Sequence, residues 1–175
     1  MAEAIAELGY AELTIADIVR RARVSKRTFY EHFSTKEACL VALYEKEAGR
    51  LVATIAAAIA DVPPGERRIT TGTRVYFESL AANPRIAKTL LLEILHAGDA
   101  GLAVRRNVLR VFAALFVSQF EALGKNGVLT PAVATALVGG INELVLEASE
   151  EDRLDQVDVL ADAVETLVRA VLQTR

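Results

Sequence analysis

The 175-residue sequence has few of the residues that characterise disulfide-linked, metal-binding or strand-rich proteins. Its one cysteine, Cys39, has no partner for an internal disulfide, which favours a reducing compartment such as the cytoplasm. With two histidines and no HExxH, GxSxG or Walker sequence, it carries no recognisable catalytic or metal-binding motif. Its longest nearly unbroken apolar run, Leu51 to Ala60, is much shorter than the roughly 20 residues of a membrane span. We therefore expect a cytoplasmic protein that is not an enzyme, binds no cofactor or metal and does not cross a membrane.

Glycine and proline are also sparse, and the apolar residues between them recur at helical spacing without convincing two-residue alternation. Asn83-Pro84 and Thr130-Pro131 each place a capping residue before a proline, which is typical of a helix start. Thr14 to Asp17 has the pattern of a capping box, with aspartate in place of the usual glutamate. The sequence thus predicts an all-α fold of about nine helices. Their expected positions are 2–8, 14–22, 25–32, 35–60, 66–82, 84–97, 101–124, 131–148 and 153–173.

Charge is unevenly distributed along the chain, whose overall net charge is only −3. Residues 20–36, the basic segment, contain six basic residues and one glutamate, a net charge of +5, so the rest of the chain carries −8. A short basic segment on an acidic protein is typical of a surface that binds a polyanion. The alternative, from charge alone, is an ordinary solvated face. The basic residues are Arg20, Arg21, Arg23, Lys26, Arg27 and Lys36.

Two short predicted helices, 14–22 and 25–32, flank a tight turn, as in a helix-turn-helix whose second helix enters the DNA major groove. At about 100° per residue, Phe29 and Phe33 share one face of the second helix, and we expect them to point into the core. The opposite face should then be exposed. It carries Arg27, Thr28, Tyr30 and Glu31, with Lys26 at its N-terminal edge.

The residue types on this exposed face suit DNA. Arg27 can make a bidentate contact with guanine, and Glu31 can either accept from cytosine or orient Arg27. Thr28 and Tyr30 can donate to phosphate oxygens, and Lys36 adds a positive charge at the start of the next helix. A helical hairpin with a merely charged outer face is the alternative, but an exposed aromatic such as Tyr30 has no role in a core.

Beyond these separate features, about 40 consecutive residues resemble the DNA-binding domain of TetR-family transcriptional regulators. The most specific stretch is Thr28 to Phe33. The resemblance implies an all-α homodimer with a helix-turn-helix DNA-binding domain at residues 1–45 and a ligand-binding and dimerisation domain at residues 46–175. The matching stretches are Gly9-Tyr10, Leu13 to Val19, Val24 to Phe33, Lys36-Glu37 and Leu40.

The same resemblance implies roles for single residues. Thr28, Tyr30 and Lys36 fall on positions that commonly touch phosphates, and His32 falls on a position beside the DNA backbone. One departure is Arg23, which stands at the turn position usually held by glycine. Either the turn is strained, or Arg23 adopts an ordinary conformation and adds a phosphate contact. The expected DNA-binding residues are Ser25, Lys26, Arg27, Thr28, Tyr30, Glu31, His32 and Lys36, of which Lys26, Arg27 and Glu31 fall on the variable recognition positions.

Helix 101–124 is apolar all round from Val111 to Val117, so we expect it to be buried. Together with helices 66–82 and 84–97 it could line a cavity for a mostly apolar small molecule, as in families of this kind. Plain core packing is the alternative for each residue. The expected lining is Tyr76, Phe77, Leu80, Leu91, Leu95, His96, Phe112, Phe116 and Phe120. The polar groups that could orient a ligand are Tyr76, Glu93, His96, Asn107 and Gln119.

The last two helices, 131–148 and 153–173, have the features of a homodimer interface. The first carries small residues that permit close approach, and the second carries a continuous apolar stripe. Together they suggest half of a four-helix bundle completed by two-fold symmetry. The small residues are Ala132, Ala134, Ala136, Gly139 and Gly140, and the stripe is Leu154, Val157, Leu160, Ala161, Val164, Leu167, Val168 and Val171.

These features together predict a ligand-responsive DNA-binding transcriptional regulator. We expect a repressor that a small apolar effector releases from a palindromic double-stranded operator, by tilting helix 35–60 and so changing the spacing of the recognition helices. The alternative is a helical dimer that binds a lipid-like small molecule without sequence-specific DNA binding.

Overall fold

The computed structural model describes residues 1–173, apart from the side chains of residues 6, 85 and 89. These residues contain nine α-helices, one 3₁₀ helix and no strand. The all-α prediction is therefore confirmed. In chain order the helices are α1 (Ala2–Leu8), α2 (Ile15–Ala22), α3 (Lys26–His32), α4 (Lys36–Ile59), α5 (Glu66–Ala81), α6 (Pro84–Glu93), the 3₁₀ helix (Ile94–Ala97), α7 (Gly98–Ala122), α8 (Pro131–Glu150) and α9 (Val157–Leu172).

Side-chain caps explain where several helices begin. The Thr14 hydroxyl accepts from the Asp17 backbone N–H at 3.2 Å, and the Asp17 carboxylate accepts from the Thr14 backbone N–H at 3.1 Å, which completes the predicted capping box. Ser25 and Thr130 likewise accept from the third residue of α3 and of α8. Because these hydrogen bonds join near neighbours in sequence, the predicted starts of α2, α3 and α8 agree with the observed ones to within one residue.

The predicted helix 84–97 and the predicted start of helix 101–124 are wrong. The α-helix ends at Glu93, a 3₁₀ turn follows, and α7 begins at Gly98, three residues earlier than expected. Gly98 has φ 60° and ψ −143°, a conformation that favours glycine, at the junction between the 3₁₀ helix and α7. Gly101 then lies inside α7, so close to the preceding turn that an added Cβ would be 2.0 Å from the Ile94 carbonyl oxygen.

The predicted start of helix 153–173 is also wrong, since α9 begins at Val157. Asp152 adopts a left-handed conformation with φ 54°, and the Arg153 backbone N–H donates to the Ala148 carbonyl at 2.7 Å. This hydrogen bond closes the end of α8 and leaves residues 151–156 as a connecting turn.

The helices form two compact units, and the division falls within α4, after the first residue of α6 and within α7. Unit 1 comprises residues 1–49 and 85–107. It includes the predicted helix-turn-helix, and its core holds fully buried side chains such as Leu13, Leu40 and Ile94. Cys39 is buried there as expected, and burial raises the pKa of its thiol. The sequence predicted a single domain boundary at residue 46, whereas each compact unit contains two separate stretches of the chain. Whether residue 46 separates two functional domains stays a prediction.

Unit 2 comprises residues 50–84 and the chain from Val108 onward. Within it α9 packs mainly against α5. Two ion pairs also join these helices: Arg74 Nη1 lies 2.5 Å from Asp158 Oδ1, and Arg169 Nε lies 3.5 Å from Glu66 Oε2. Phe77, Phe120, Val145 and Val164 are fully buried in this unit.

Within the described part of the chain, α8 is the one helix long and apolar enough to cross a membrane by length and composition. Of its most apolar window, 44% is buried inside the protein, and a core helix of a water-soluble protein passes the same test. Because polar residues such as Asn142 and Glu143 interrupt α8, its sequence does not contain an uninterrupted apolar run of that length. The absence of a membrane span therefore stays a prediction.

Candidate nucleic-acid interface

The turn between α2 and α3 is strained at one residue. Arg23 has φ 55° and ψ 40°, in the left-handed region that costs a residue with a Cβ roughly 1–2 kcal/mol. Its backbone N–H donates to the Arg20 carbonyl at 3.3 Å, and the Val24 N–H donates to the Val19 carbonyl at 3.0 Å. These two bonds are those of a Schellman motif, which places a left-handed residue at this position. Of the two sequence alternatives, the strained turn is the observed one.

Helix α3 has one buried and one exposed face, as predicted. Phe29 is buried, Phe33 is half-buried just beyond the helix end, and their ring centroids lie 5.6 Å apart. The Tyr30 ring packs edge-on against Phe29 at 5.5 Å between centroids, yet the residue is 56% exposed. The other exposed residues of α3 are Lys26, Arg27, Glu31 and His32, while Thr28 is half-buried.

Hydrogen bonds orient the polar side chains of this face. Arg27 Nε donates to Glu31 Oε1 at 3.0 Å, so Glu31 orients Arg27, one of the two roles that the sequence left open. The Ser25 and Thr28 hydroxyl oxygens lie 3.0 Å apart, and Ser25 also accepts from the Thr28 backbone N–H. The guanidinium of Arg27 remains almost fully exposed, with 89% of its side-chain surface accessible.

Lys36 differs from the other predicted DNA-binding residues because its ammonium group binds within the protein. Lys36 Nζ donates to the carbonyl oxygens of Tyr10 and Leu13, both at 2.9 Å, and lies 4.3 Å from the Tyr10 ring centroid. An ammonium has three N–H donors, so one remains for any other partner. Sequence reasoning missed these bonds because the carbonyls lie 26 and 23 residues away and no local motif connects them.

Tyr10 joins this cluster to the 3₁₀ helix of unit 1. Its ring centroid lies 6.5 Å from that of His96, and its hydroxyl is buried beside the Glu37 carboxylate, with which it makes a weak hydrogen bond rather than a well-formed one. Burial, and then the charge of the nearby Glu37 carboxylate, raise the pKa of the Tyr10 hydroxyl well above its ordinary value. Tyr10 is therefore held as the neutral phenol.

The expected ligand-lining residues fall into both units. In unit 2, Phe77 and Phe120 are fully buried, and the Tyr76 ring stacks edge-on against Phe77 at 5.2 Å and Phe112 at 5.8 Å. Leu80 and Phe116 are half-buried in that unit. Leu91, Leu95 and His96 belong to unit 1, where Leu95 and His96 are exposed and His96 Nδ1 lies 3.1 Å from Glu93 Oε2. Their role as a ligand site stays a prediction.

In unit 2, the side-chain carbonyl oxygen of Gln119 lacks a hydrogen-bond donor among the described residues. Gln119 Nε2 donates to the Ser118 hydroxyl at 3.1 Å, but the Gln119 side-chain carbonyl oxygen is buried with no hydrogen bond from the described residues. A buried acceptor without a donor is costly, and a ligand or a water molecule can relieve that cost. No group of three or more potential metal-ligating side chains occurs in the part of the chain that the structure describes.

The predicted dimer helices have exposed small and apolar residues. Val133, Ala136, Gly139 and Gly140 of α8 are exposed, whereas Ala134 is fully buried in unit 2. Most of the predicted α9 stripe is buried within unit 2 itself, and Leu167 is its exposed member within α9, at 42%. The exposed apolar surface of α9 also includes Val159, at 60%, which lies outside the predicted stripe.

Known proteins resemble this chain at two levels, beginning with its sequence. Residues 2–43 match the model of the bacterial regulatory proteins, tetR family. The HTH-type transcriptional regulator EthR of Mycolicibacterium smegmatis is 30% identical over 80 residues, which are 45% of this chain and 37% of that protein. The fatty acid metabolism regulator protein of Bacillus subtilis is 26% identical over 92 residues, 53% of this chain and 47% of that protein. The aligned segments thus span less than half of either curated relative.

At the level of structure the likeness extends over nearly the whole chain. The fatty acid degradation regulator FadR from Bacillus halodurans superimposes with a TM-score of 0.83 at 23% identity, covering 99% of this chain and 93% of that one. The transcriptional regulator FadR from Bacillus subtilis, solved in complex with stearoyl-CoA, gives 0.77 at 21% identity, covering 95% and 92%. Residues 2–43 thus match the tetR-family model, and nearly the whole chain has the fold of these two regulators.

Proposed function

We propose that this protein is a cytoplasmic, ligand-responsive DNA-binding transcriptional regulator, and specifically a repressor that leaves a palindromic operator when an effector binds. The observation that carries the proposal is the exposed face of α3, which lies within the family-matching residues and rests on the buried Phe29. No catalytic step is part of this proposal.

In the proposed complex Arg27 reads the DNA sequence. Its exposed guanidinium is suited to a bidentate contact with guanine O6 and N7 in the major groove. The ion pair with Glu31 restricts the Arg27 side chain before binding, so less rotamer freedom is lost when the contact forms. We propose that the hydroxyl groups of the exposed Tyr30 and of Thr28 donate to DNA phosphates.

A palindromic operator needs two copies of the protein, and the exposed glycines of α8 support a second copy as the occupant of that face. A Cβ added at Gly139 or Gly140 would meet no described atom within 4 Å, so nothing within one chain requires glycine there. Glycine inside a helix costs about 1 kcal/mol relative to alanine. A neighbouring helix at close approach gives a physical reason for two adjacent glycines, and two-fold symmetry would supply that helix from α8 of the second copy.

For the effector we propose a long-chain acyl-CoA. One curated relative is a fatty acid metabolism regulator, and one structural neighbour was solved in complex with stearoyl-CoA. The aromatic residues Tyr76, Phe77 and Phe112 of unit 2 offer apolar contacts for an acyl chain, and the unpartnered Gln119 carbonyl offers an acceptor for an N–H group of the ligand. Helix α4 belongs to both units, and we propose that its displacement connects ligand binding to the DNA-binding helices.

The test is the selection of binding sites from a random duplex library, with the wild type and with Arg27→Ala in parallel. We expect the wild type to enrich a palindrome, and the variant to lose specificity at one symmetric base pair at a cost of about 1–3 kcal/mol. Stearoyl-CoA added to the complex should then release the DNA, whereas free coenzyme A should not. If no sequence is enriched, the protein is instead a helical ligand-binding dimer without sequence-specific DNA binding.

A further inference from the structure

The six positive charges of the basic segment are not equally available to DNA. Arg20 pairs with Asp17 at 2.7 Å, Arg21 with Glu7, and Arg27 with Glu31. The ammonium group of Lys36 is bound to two backbone carbonyl oxygens. Across residues 1–173, the two cations of this segment that have no ion-pair or hydrogen-bond partner for the side chain are Arg23 and Lys26.

Both of these cations lie beside the turn between α2 and α3. Lys26 is the first residue of α3, and Arg23 is the left-handed residue that closes α2. Both residues are exposed. A long cationic side chain at this position can reach outward from the start of the helix that carries Arg27 and Tyr30.

The backbone conformation of Arg23 indicates that arginine is not at this position for the sake of stability. The two hydrogen bonds that close the turn hold this residue at φ 55°, where glycine would fit without strain. Arginine is therefore the less stable choice for folding. A strained residue that also carries an unpaired charge is typical of a functional position.

We infer that Arg23, together with Lys26, contacts the DNA phosphates. This inference rests on the proposed DNA-binding function. It assigns the sequence-independent part of the affinity to the unpaired cations, while Arg27 supplies base recognition. Arginine at position 23 then exchanges some fold stability for affinity.

The inference is tested by the salt dependence of operator affinity, measured with the selected duplex between about 50 and 200 mM salt. Each neutralised phosphate contributes a slope of about −0.9 in log affinity against log salt concentration. Arg23→Gly removes one contact per half-site, so the slope of the dimer should become shallower by about 1.8. Over this fourfold range of salt, the advantage of the wild type over the variant should shrink roughly tenfold. Arg23→Lys keeps the charge and should keep the slope.

Two control variants separate the charge at this position from other effects. Arg20→Gln changes the net charge by the same amount as Arg23→Gly, but it removes a cation that is already paired with Asp17, so its slope should change by less than half as much. Asp152→Gly replaces another left-handed residue, at φ 54°, in unit 2, where aspartate is less strained than arginine is at position 23. Arg23→Gly should raise Tm by about 2–4 °C and Asp152→Gly by less, and Asp152→Gly should leave the salt slope unchanged.

An Arg23→Gly slope equal to that of the wild type would overturn the inference, as would equal slope changes in Arg23→Gly and Arg20→Gln, since long-range charge alone would then explain both. A wild type that enriches no duplex would instead contradict the proposed function, and the two failures are therefore distinguishable. Site preference should be the same in wild type and Arg23→Gly, because a phosphate contact reads no base.

Discussion

Replacing Gly101 by alanine should destabilise the fold, although alanine is the better helix former. A Cβ at this position would lie 2.0 Å from the Ile94 carbonyl oxygen and 2.9 Å from the Ala97 Cβ. Ile94 is fully buried, and the nearest obstacle is backbone, so no side-chain rotation can relieve the overlap. The start of α7 and the 3₁₀ helix must move apart by about 1 Å, a distortion of the kind that overpacking makes costly.

The magnitude follows from two opposing terms. Overpacked cores typically lose about 1–3 kcal/mol, and a rigid backbone obstacle places Gly101→Ala at the upper end of that range. The gain in helix propensity is at most about 1 kcal/mol, and it is smaller in the first turn of a helix. The net loss should be about 2 kcal/mol, which lowers Tm by about 4–8 °C in a chain of this size.

The measurement is thermal and urea unfolding followed by circular dichroism at one fixed protein concentration. Gly49→Ala is the matched control, because Gly49 is an exposed glycine inside α4 whose added Cβ would meet no described atom within 4 Å. It should raise the free energy of unfolding by up to about 1 kcal/mol. If Gly101→Ala proves as stable as Gly49→Ala, the close approach of α7 to Ile94 does not exist.

Three other substitutions have expected outcomes. Tyr10→Phe removes a buried hydroxyl that makes only a weak hydrogen bond to Glu37, so stability near neutral pH should change by less than about 1 kcal/mol, and a larger loss would mean that this hydrogen bond is well formed. Because the Tyr10 pKa is raised, the neutral phenol stabilises the fold below pH about 10 and this contribution is lost as pH rises, so a Tm series at alkaline pH should decline less steeply in the variant. Hydrogen bonds from Thr14 lower the pKa of Asp17, so the Asp17 carboxylate stabilises the fold above pH about 4 and this stabilisation is lost as pH falls. The Asp17→Asn variant should therefore be less stable than the wild type at pH 7 and should lose less stability on acidification. Gly140→Leu should keep the helical content of the wild type but sediment as a monomer, whereas Gly49→Leu should remain a dimer; unchanged sedimentation of Gly140→Leu would exclude α8 from the interface.

Features that depend on near neighbours in sequence were predictable. The start of α8 follows from Thr130-Pro131, because the Thr130 hydroxyl accepts from a backbone N–H three residues away, at 3.3 Å. The buried and exposed faces of α3 follow from the angle of about 100° between successive helical residues, which separates Phe29 from Arg27 and Glu31. In both cases the deciding geometry is contained within one helical turn.

Features set by contacts between different helices were not predictable. The α-helix predicted at 84–97 ends at Glu93, and the 3₁₀ helix that follows packs so closely against α7 that a Cβ at Gly101 would overlap the Ile94 carbonyl. The sequence around Gly98 and Gly101 indicates a break, but not that Gly98 takes the positive φ and that Gly101 permits the close packing. For α9, the apolar period is correct, but most of the stripe is buried within unit 2, so periodicity alone did not identify the exposed surface.

The basic segment shows why charge counts from sequence overstate a binding surface. Its net charge of +5 indicates a polyanion partner, and the family-matching residues agree with that expectation. Folding then brings Asp17 and Glu7, which lie outside the segment, onto Arg20 and Arg21, and it directs Lys36 to backbone carbonyls. An exposed ion pair is weak, so these residues still contribute to the general field around the domain. A phosphate contact, however, gains most from a cation that has no other partner, and the strained Arg23 is such a cation. At this position fold stability favours glycine, whereas DNA binding favours arginine.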